Sequence, residues 1–233
     1  WAVNPAFLSW RNISNVLAFT VELGLIALAM TLLMTAGEFD LSVGSLFGFC
    51  PVLMWTLYNT GVTSIEVGFA ISLVAAISVG LVSGLLVTQL KIPSFLVTLG
   101  MLLVVRGTAL FVTSGFPQRT WKAEDLLLGQ ILAGNFNIAG LRIYMSLLWF
   151  VATAVLLSYV LTRTRIGNWI QAAGGDAHAA RARGVDVDLT KVKLFILSAV
   201  MAGFAGIVSS IRTAAANPNS GTGYELEVIA MVV

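Results

Sequence analysis

Cysteine occurs once in this 233-residue chain, at Cys50, and histidine once, at His178. A single thiol excludes an intrachain disulfide. One Cys and one His also exclude a soft-metal cluster of the zinc type. Charge is scarce as well: Asp, Glu, Lys and Arg make up 10% of the residues, against roughly a quarter in a soluble domain. The net charge of +2 is small, and the basic residues sit between apolar runs, so it implies no nucleic-acid partner. The phosphate-cradling pattern GxxxxGK(S/T), the nucleophile elbow GxSxG and the zinc-protease pattern HExxH are all missing. No nucleophile and base stand in a recognisable arrangement. The chain is therefore expected to be no enzyme and to hold no cofactor; if ATP drives its work, another subunit hydrolyses it.

What is abundant is apolar sequence. Hydrophobic residues make up 58% of the chain, and the mean hydropathy is +0.93. They fall into runs near the ~18 residues that mark a transmembrane helix: Val16 to Ala36, Leu41 to Tyr58, Val67 to Leu90, Phe95 to Thr113, Ile143 to Leu161 and Val192 to Ile211, with a further start at Leu226. The runs are too long for barrel strands, and only helices satisfy their own backbone in hydrocarbon at these lengths. The expectation is an all-α, polytopic transmembrane helical bundle of six spans and the start of a seventh, forming one domain over residues 1–233. Trp1 begins the chain without Met and Val233 falls inside an apolar run, so both ends are expected to be truncated. Residues 163–193 carry Arg163, Arg165, Arg181, Arg183, Lys191 and Lys193, and by the positive-inside rule this loop is cytoplasmic. The long connection Ser114–Arg142 is then external, with an amphipathic helix expected around Lys122 to Leu132. Trp10, Trp55, Tyr58, Trp121, Tyr144 and Trp149 lie near span ends, where aromatic rings anchor to the interface.

Within the basic loop, Asp176 precedes the short run Ala177 to Arg183, and Gly184 follows. Asp accepts from the free N–H groups of a first helical turn, Gly suits the left-handed residue beyond a helix end, and Arg181 and Arg183 complement the dipole of the last turn. This predicts a short capped helix at the membrane surface, turned into by Gly174-Gly175 and suited to docking. A second motif is the polar break Gly37-Glu38-Phe39-Asp40, where Asp40 is placed to cap a helix from Leu41 and Gly44 and Gly48 form a small-xxx-small face. Such breaks line cavities in transporters, or are plain interfacial turns. Glu38, Asp40, Ser42 and Gly44 are thus candidates for a translocation path. Glu22 and Arg106 are isolated charges inside apolar runs, and their similar predicted depth suggests an ion pair. Gly80 and Gly84, and Ala199, Ala202, Gly203 and Gly206, give two further small faces for helix packing. Two transport modes fit these features: an ATP-driven importer docked through the loop, or an ion- or proton-coupled secondary transporter with Glu38 and Asp40 as coupling groups.

The loop residues Ile170-Gln171-Ala172-Ala173-Gly174-Gly175-Asp176, Ala179-Ala180-Arg181 and Gly184-Val185 resemble the cytoplasmic coupling segment of ATP-binding-cassette importer permeases of the monosaccharide group (ribose, xylose, arabinose and galactose). Gly37 to Ser45 is similar to that group's Gly-rich segment after an early span, although Glu38 stands where many members have Gly. Gly221 to Ala230 and Arg106-Gly107 with Thr113-Ser114-Gly115 fit as well, whereas Asp176 stands where many members have Asn. The resemblance implies a permease subunit in the bacterial inner membrane, paired with a second permease chain. It also implies two cytoplasmic ATP-binding subunits, which use ATP and Mg, and an extracytoplasmic solute-binding protein. Gly174, Gly175, Asp176, Ala179, Ala180, Arg181 and Gly184 would form the ATPase-coupling loop.

Overall fold

The computed structural model describes residues 9–120, 123–138 and 141–233. Among the described residues ten α-helices run in order: α1 (Trp10–Thr35), α2 (Val43–Asn59), α3 (Ile65–Gln89), α4 (Ser94–Thr113), α5 (Leu127–Ala133), α6 (Met145–Arg163), α7 (Arg165–Gly175), α8 (Ala177–Ala182), α9 (Val187–Thr213) and α10 (Tyr224–Val232). Two small antiparallel ribbons accompany them. In one, β1 (Gln118–Arg119) pairs with β4 (Ala215–Ala216); in the other, β2 (Asn135–Ile138) pairs with β3 (Leu141–Tyr144). The molecule is an all-α polytopic bundle.

Five helices, α1, α3, α4, α6 and α9, are long and apolar enough to cross a membrane. The second predicted span, α2, has 17 residues and contains Pro51, which makes it about 25 Å long at ~1.5 Å per residue. It is the innermost element of the bundle, packed on α3, α4 and α9, with Val43 to Val52 buried without interruption. The best-buried of the five long helices is α9, while α6 turns most of its surface outward. That contrast follows from composition: α9 carries the small face Ala199, Ala202, Gly203 and Gly206, whereas α6 presents Leu148, Val151, Val155, Leu156 and Tyr159.

Both predicted small faces are packing faces, that of α3 against α9 and that of α9 largely against α2. A β-carbon on Gly80 would strike the backbone of Phe195 and Ile196, and one on Gly84 would strike Val192. Gly203 likewise lies against Cys50, and Gly206 against the backbone of Phe47. Close approach of this kind replaces hydrophobic driving force between helices in lipid. Gly44 and Gly48 differ: their face receives the carbonyls of Pro218, Ser220 and Gly221, with the Glu225 carboxylate of α10 against Gly44 and the Arg106 guanidinium against Gly48. Residues 217–223 are thus a re-entrant turn that leaves the outer ribbon, reaches the N-terminal half of α2 and leads into α10.

Several local expectations need correction. Gly174-Gly175 is not a turn but the last part of α7. Helix α9 begins at Val187 rather than Val192, because Asp186 caps it by accepting from Leu189 N–H (2.9 Å). Helix α2 begins at Val43 rather than Leu41. Trp55 is no interface anchor: it is fully buried and donates through Nε1 to Ser210 Oγ (3.2 Å). The external connection folds as a 3-10 turn (Ala123–Asp125), then α5 and the β2–β3 ribbon; Trp121 and Lys122 lie outside the described residues.

Candidate functional site

At the end of the bundle predicted to be cytoplasmic, Asp176 Oδ1 accepts from the backbone N–H of His178 (2.9 Å) and Ala179 (3.0 Å). These two bonds, that from Ala179 first, hold the Asp176 carboxyl below the usual carboxylate range. The other end of α8 closes as predicted: Gly184 has φ +84°, and Val185 N–H reaches back to Ala180 O at 3.1 Å. Ala180 faces inward and packs with Ala173 and Val187 in a small cluster separate from the main core. His178, Ala179, Arg181 and Arg183 stay exposed.

This unit touches three parts of the bundle. Gly174 seats against the Thr35 carbonyl and Ala36, at the end of α1, where any side chain would collide. Arg181 Nη2 meets Asp188 Oδ1 at 2.6 Å, and Lys91, from the α3–α4 turn, meets the same oxygen at 3.4 Å. Lys191 Nζ lies 2.6 Å from Glu38 Oε1. The predicted coupling residues therefore come together as one folded surface.

The candidate path residues are packed rather than open. Asp40 and Ser42 are fully buried, and Asp40 Oδ1 accepts from Ser42 N–H (2.8 Å) and Oγ–H (2.6 Å). Asp40 thus shapes the break ahead of α2 instead of capping a helix from Leu41. Gly37, with φ +81°, makes the turn out of α1. Because Gly37 abuts Gly174 and Glu38 pairs with Lys191, the break lies at the level of α7 and the start of α9.

The expected Glu22–Arg106 pair does not form. Glu22 Oε1 accepts from Arg212 Nε at 2.7 Å, with the two side chains 2% and 8% exposed, and the Arg212 guanidinium stands 4.4 Å from the Phe19 ring centre. Arg106 instead donates to three backbone carbonyls, those of Pro218 (2.6 Å), Ser220 (2.9 Å) and Gly44 (3.1 Å). The reason is physical. The re-entrant turn brings helix-free carbonyls into the bundle, and these need a donor as much as the guanidinium needs acceptors. The sequence offered Arg212 only as the edge of the last connection, with no signal that it turned inward. Near it lies a cavity of about 470 Å³ between α5, the β2–β3 ribbon and the end of α9, lined by residues that include Gln130, Asn135, Arg142, Tyr144 and Arg212.

Residues 12–233 match the family described as branched-chain amino acid transport system / permease component. The ribose import permease of Escherichia coli K12 is 32% identical over 232 residues, covering 99% of this chain and 71% of the relative. An inner membrane ABC transporter permease of the same strain is 35% identical, over 98% and 68% of the two chains. The L-arabinose ABC transporter permease of Azospirillum brasilense is 34% identical, over 98% and 65%. No solved structure matches the chain.

Proposed function

The chain belongs to the branched-chain amino acid transport system permease family, and from that premise we propose that it is the membrane-spanning subunit of an ATP-driven importer of a sugar. It is a multi-pass protein of the cytoplasmic (inner) membrane. The relatives named for ribose and arabinose favour a sugar over an amino acid. In this reading the chain is not an enzyme and carries no cofactor. ATP and Mg are used by cytoplasmic ATP-binding subunits, a second permease chain completes the pathway, and a solute-binding protein delivers the sugar from outside.

The observation that carries the reading is α8, capped at both ends, seated on its own alanine cluster and exposing His178, Ala179 and Arg183. A helix so fixed is a rigid handle. When ATP closes the ATPase pair, displacement of α8 passes to α1 through Gly174, and to α9 and the α3–α4 turn through Arg181, Asp188 and Lys91. One input thus reaches four spans, as a two-state rocking mechanism needs. The ion-coupled alternative is disfavoured because Glu38 is neutralised by Lys191. The test is uptake by vesicles holding the full complex, with ATP and no ion gradient. Uptake that is lost on deleting residues 177–183, with the protein still inserted, is expected. Uptake that follows an imposed proton or sodium gradient without ATP would sink the reading.

A further inference from the structure

The break between α1 and the innermost helix is held residue by residue. Gly37 faces the Cα of Gly174, in α7. Glu38 Oε1 accepts from Lys191 Nζ of α9 at 2.6 Å. The Phe39 ring stands 6.3 Å from that of Phe95, in the first turn of α4. Asp40 Oδ1 holds the N–H and the hydroxyl of Ser42, the residue that leads into α2. Consecutive side chains thus reach α7, α9, α4 and the entry to α2 in turn. Gly37 is the weak point of this link. Its φ of +81° is a conformation that glycine adopts freely, so a joint there would absorb a push instead of passing it on.

The Glu38–Lys191 pair is placed to prevent that. Its side chains are only 14% and 16% exposed, so salt screens it less than the outer pair of Arg181 and Asp188. Lys191 lies three residues after Asp188 on α9, which puts both on one face of the helix. Asp188 in turn takes the Arg181 guanidinium of α8. A line of charge therefore runs from α8 to α9 and from α9 to the break. On the far side, α2 sets Gly44 against the Gly221 carbonyl and the Glu225 carboxylate, and Arg106 of α4 donates to Gly44 O at 3.1 Å. A shift of α2 is thereby passed to the re-entrant turn and to α10. We propose that Glu38 and Lys191 are positioning residues for transport: their pair fixes the break to α9, so that displacement of the α7–α8 unit moves α2 instead of being lost at Gly37. The inference rests on the ATP-driven importer reading and deepens it, by naming the residues through which the input reaches the innermost helix.

The experiment uses the complete complex, with its ATP-binding subunits and solute-binding protein, in proteoliposomes loaded with ATP and given no ion gradient. Uptake of ribose, arabinose and xylose, ATP hydrolysis, and retention of the ATP-binding subunits on the purified permease are measured together. The variants are Glu38→Gln, Lys191→Gln, Lys191→Arg and the exchanged pair Glu38→Lys with Lys191→Glu. In the two neutral variants, sugar imported per ATP hydrolysed is expected to fall at least about fivefold, the lower end of coupling between sites, with hydrolysis and subunit retention unchanged. Lys191→Arg is expected to import as the parent does, and the exchanged pair to recover what each charge reversal alone removes. Unchanged import per ATP in both neutral variants would overturn the proposal. So would import, hydrolysis and retention falling in parallel, the mark of a pair that only holds the fold, or an exchanged pair no better than the single reversals. Each of these, in a parent complex that imports a sugar with ATP, leaves the importer reading standing. A parent complex that imports none of the sugars with ATP would remove both.

Discussion

The two ends of α9 solve the same problem differently. At its start, on the side proposed to be cytoplasmic, charges stay near water: Arg181 and Asp188 are 40% and 36% exposed, and the local core is three small side chains. At its outer end, Arg212 and Glu22 are buried together, and the nearby re-entrant turn is held by Arg106. The first end is a light, pre-shaped handle attached at a few points. The second is a closed lock whose parts are each indispensable. Buried ion pairs add little net stability but are destructive to break, so the outer end is rigid where the cytoplasmic end is free to be pushed.

Substitutions on each side sharpen the contrast. The largest effect is expected from Glu22→Ala, which leaves Arg212 uncompensated at about 3–5 kcal/mol. Thermal unfolding of the complex in nanodiscs reads this, and Glu22→Gln with Arg212→Gln together should cost less than the sum of the single changes. Arg106→Gln comes next, at about 3 kcal/mol for two lost charge-assisted bonds, with new protease cleavage within residues 217–223. A cleavage pattern unchanged from the parent would show that the turn holds without its guanidinium. Gly174→Val should follow at about 1–3 kcal/mol of overpacking against α1, and uptake should fall more than stability does.

Smaller still are the changes at the handle. Asp176→Ala is expected to lower ATP-driven uptake several-fold with ATPase binding weakened, while Asp176→Asn, which caps as well, restores it. The sign of the pH effect is set by the lowered Asp176 pKa. The cap's contribution is complete above the unfolded value of about 3.9 and disappears only as pH falls through the lower folded value. Uptake measured from pH 8 down to 5 should show no step that Asp176→Asn removes. Asp188→Asn should change stability least, by less than about 1 kcal/mol for exposed pairs, and be visible mainly as a salt-sensitive fall in coupling.

Legibility in the sequence divides along the same line. The cap of α8, its glycine exit and the basic loop were readable because their partners lie within a few residues: Asp176 with His178 and Ala179, Gly184 with Arg181. Hydropathy located the long helices, and glycine spacing marked packing faces on α3 and α9 without naming their partners. What could not be read was set by tertiary geometry. Glu22 and Arg212 are 190 residues apart, and isolated charges at similar predicted depth pointed to Arg106 instead. The burial of α2 on every side was also hidden, since a lipid-facing helix and a central one are equally apolar. The re-entrant turn left no trace in hydropathy, because carbonyls donated to by an arginine look like any polar connection.

The lock at Arg106 also sets an order of events during synthesis. Its acceptors Pro218 and Ser220 lie 112 and 114 residues further along the chain. At about 5–20 residues per second, α4 waits roughly 6 to 23 s in the membrane with a guanidinium that has not met its final partners. Until the re-entrant turn arrives, Gly44 O is the one of its three acceptors already synthesised. Arg106 is thus a clasp that joins an early part of the chain to a late one, since two of its three acceptors exist only after residues 218 and 220 are made.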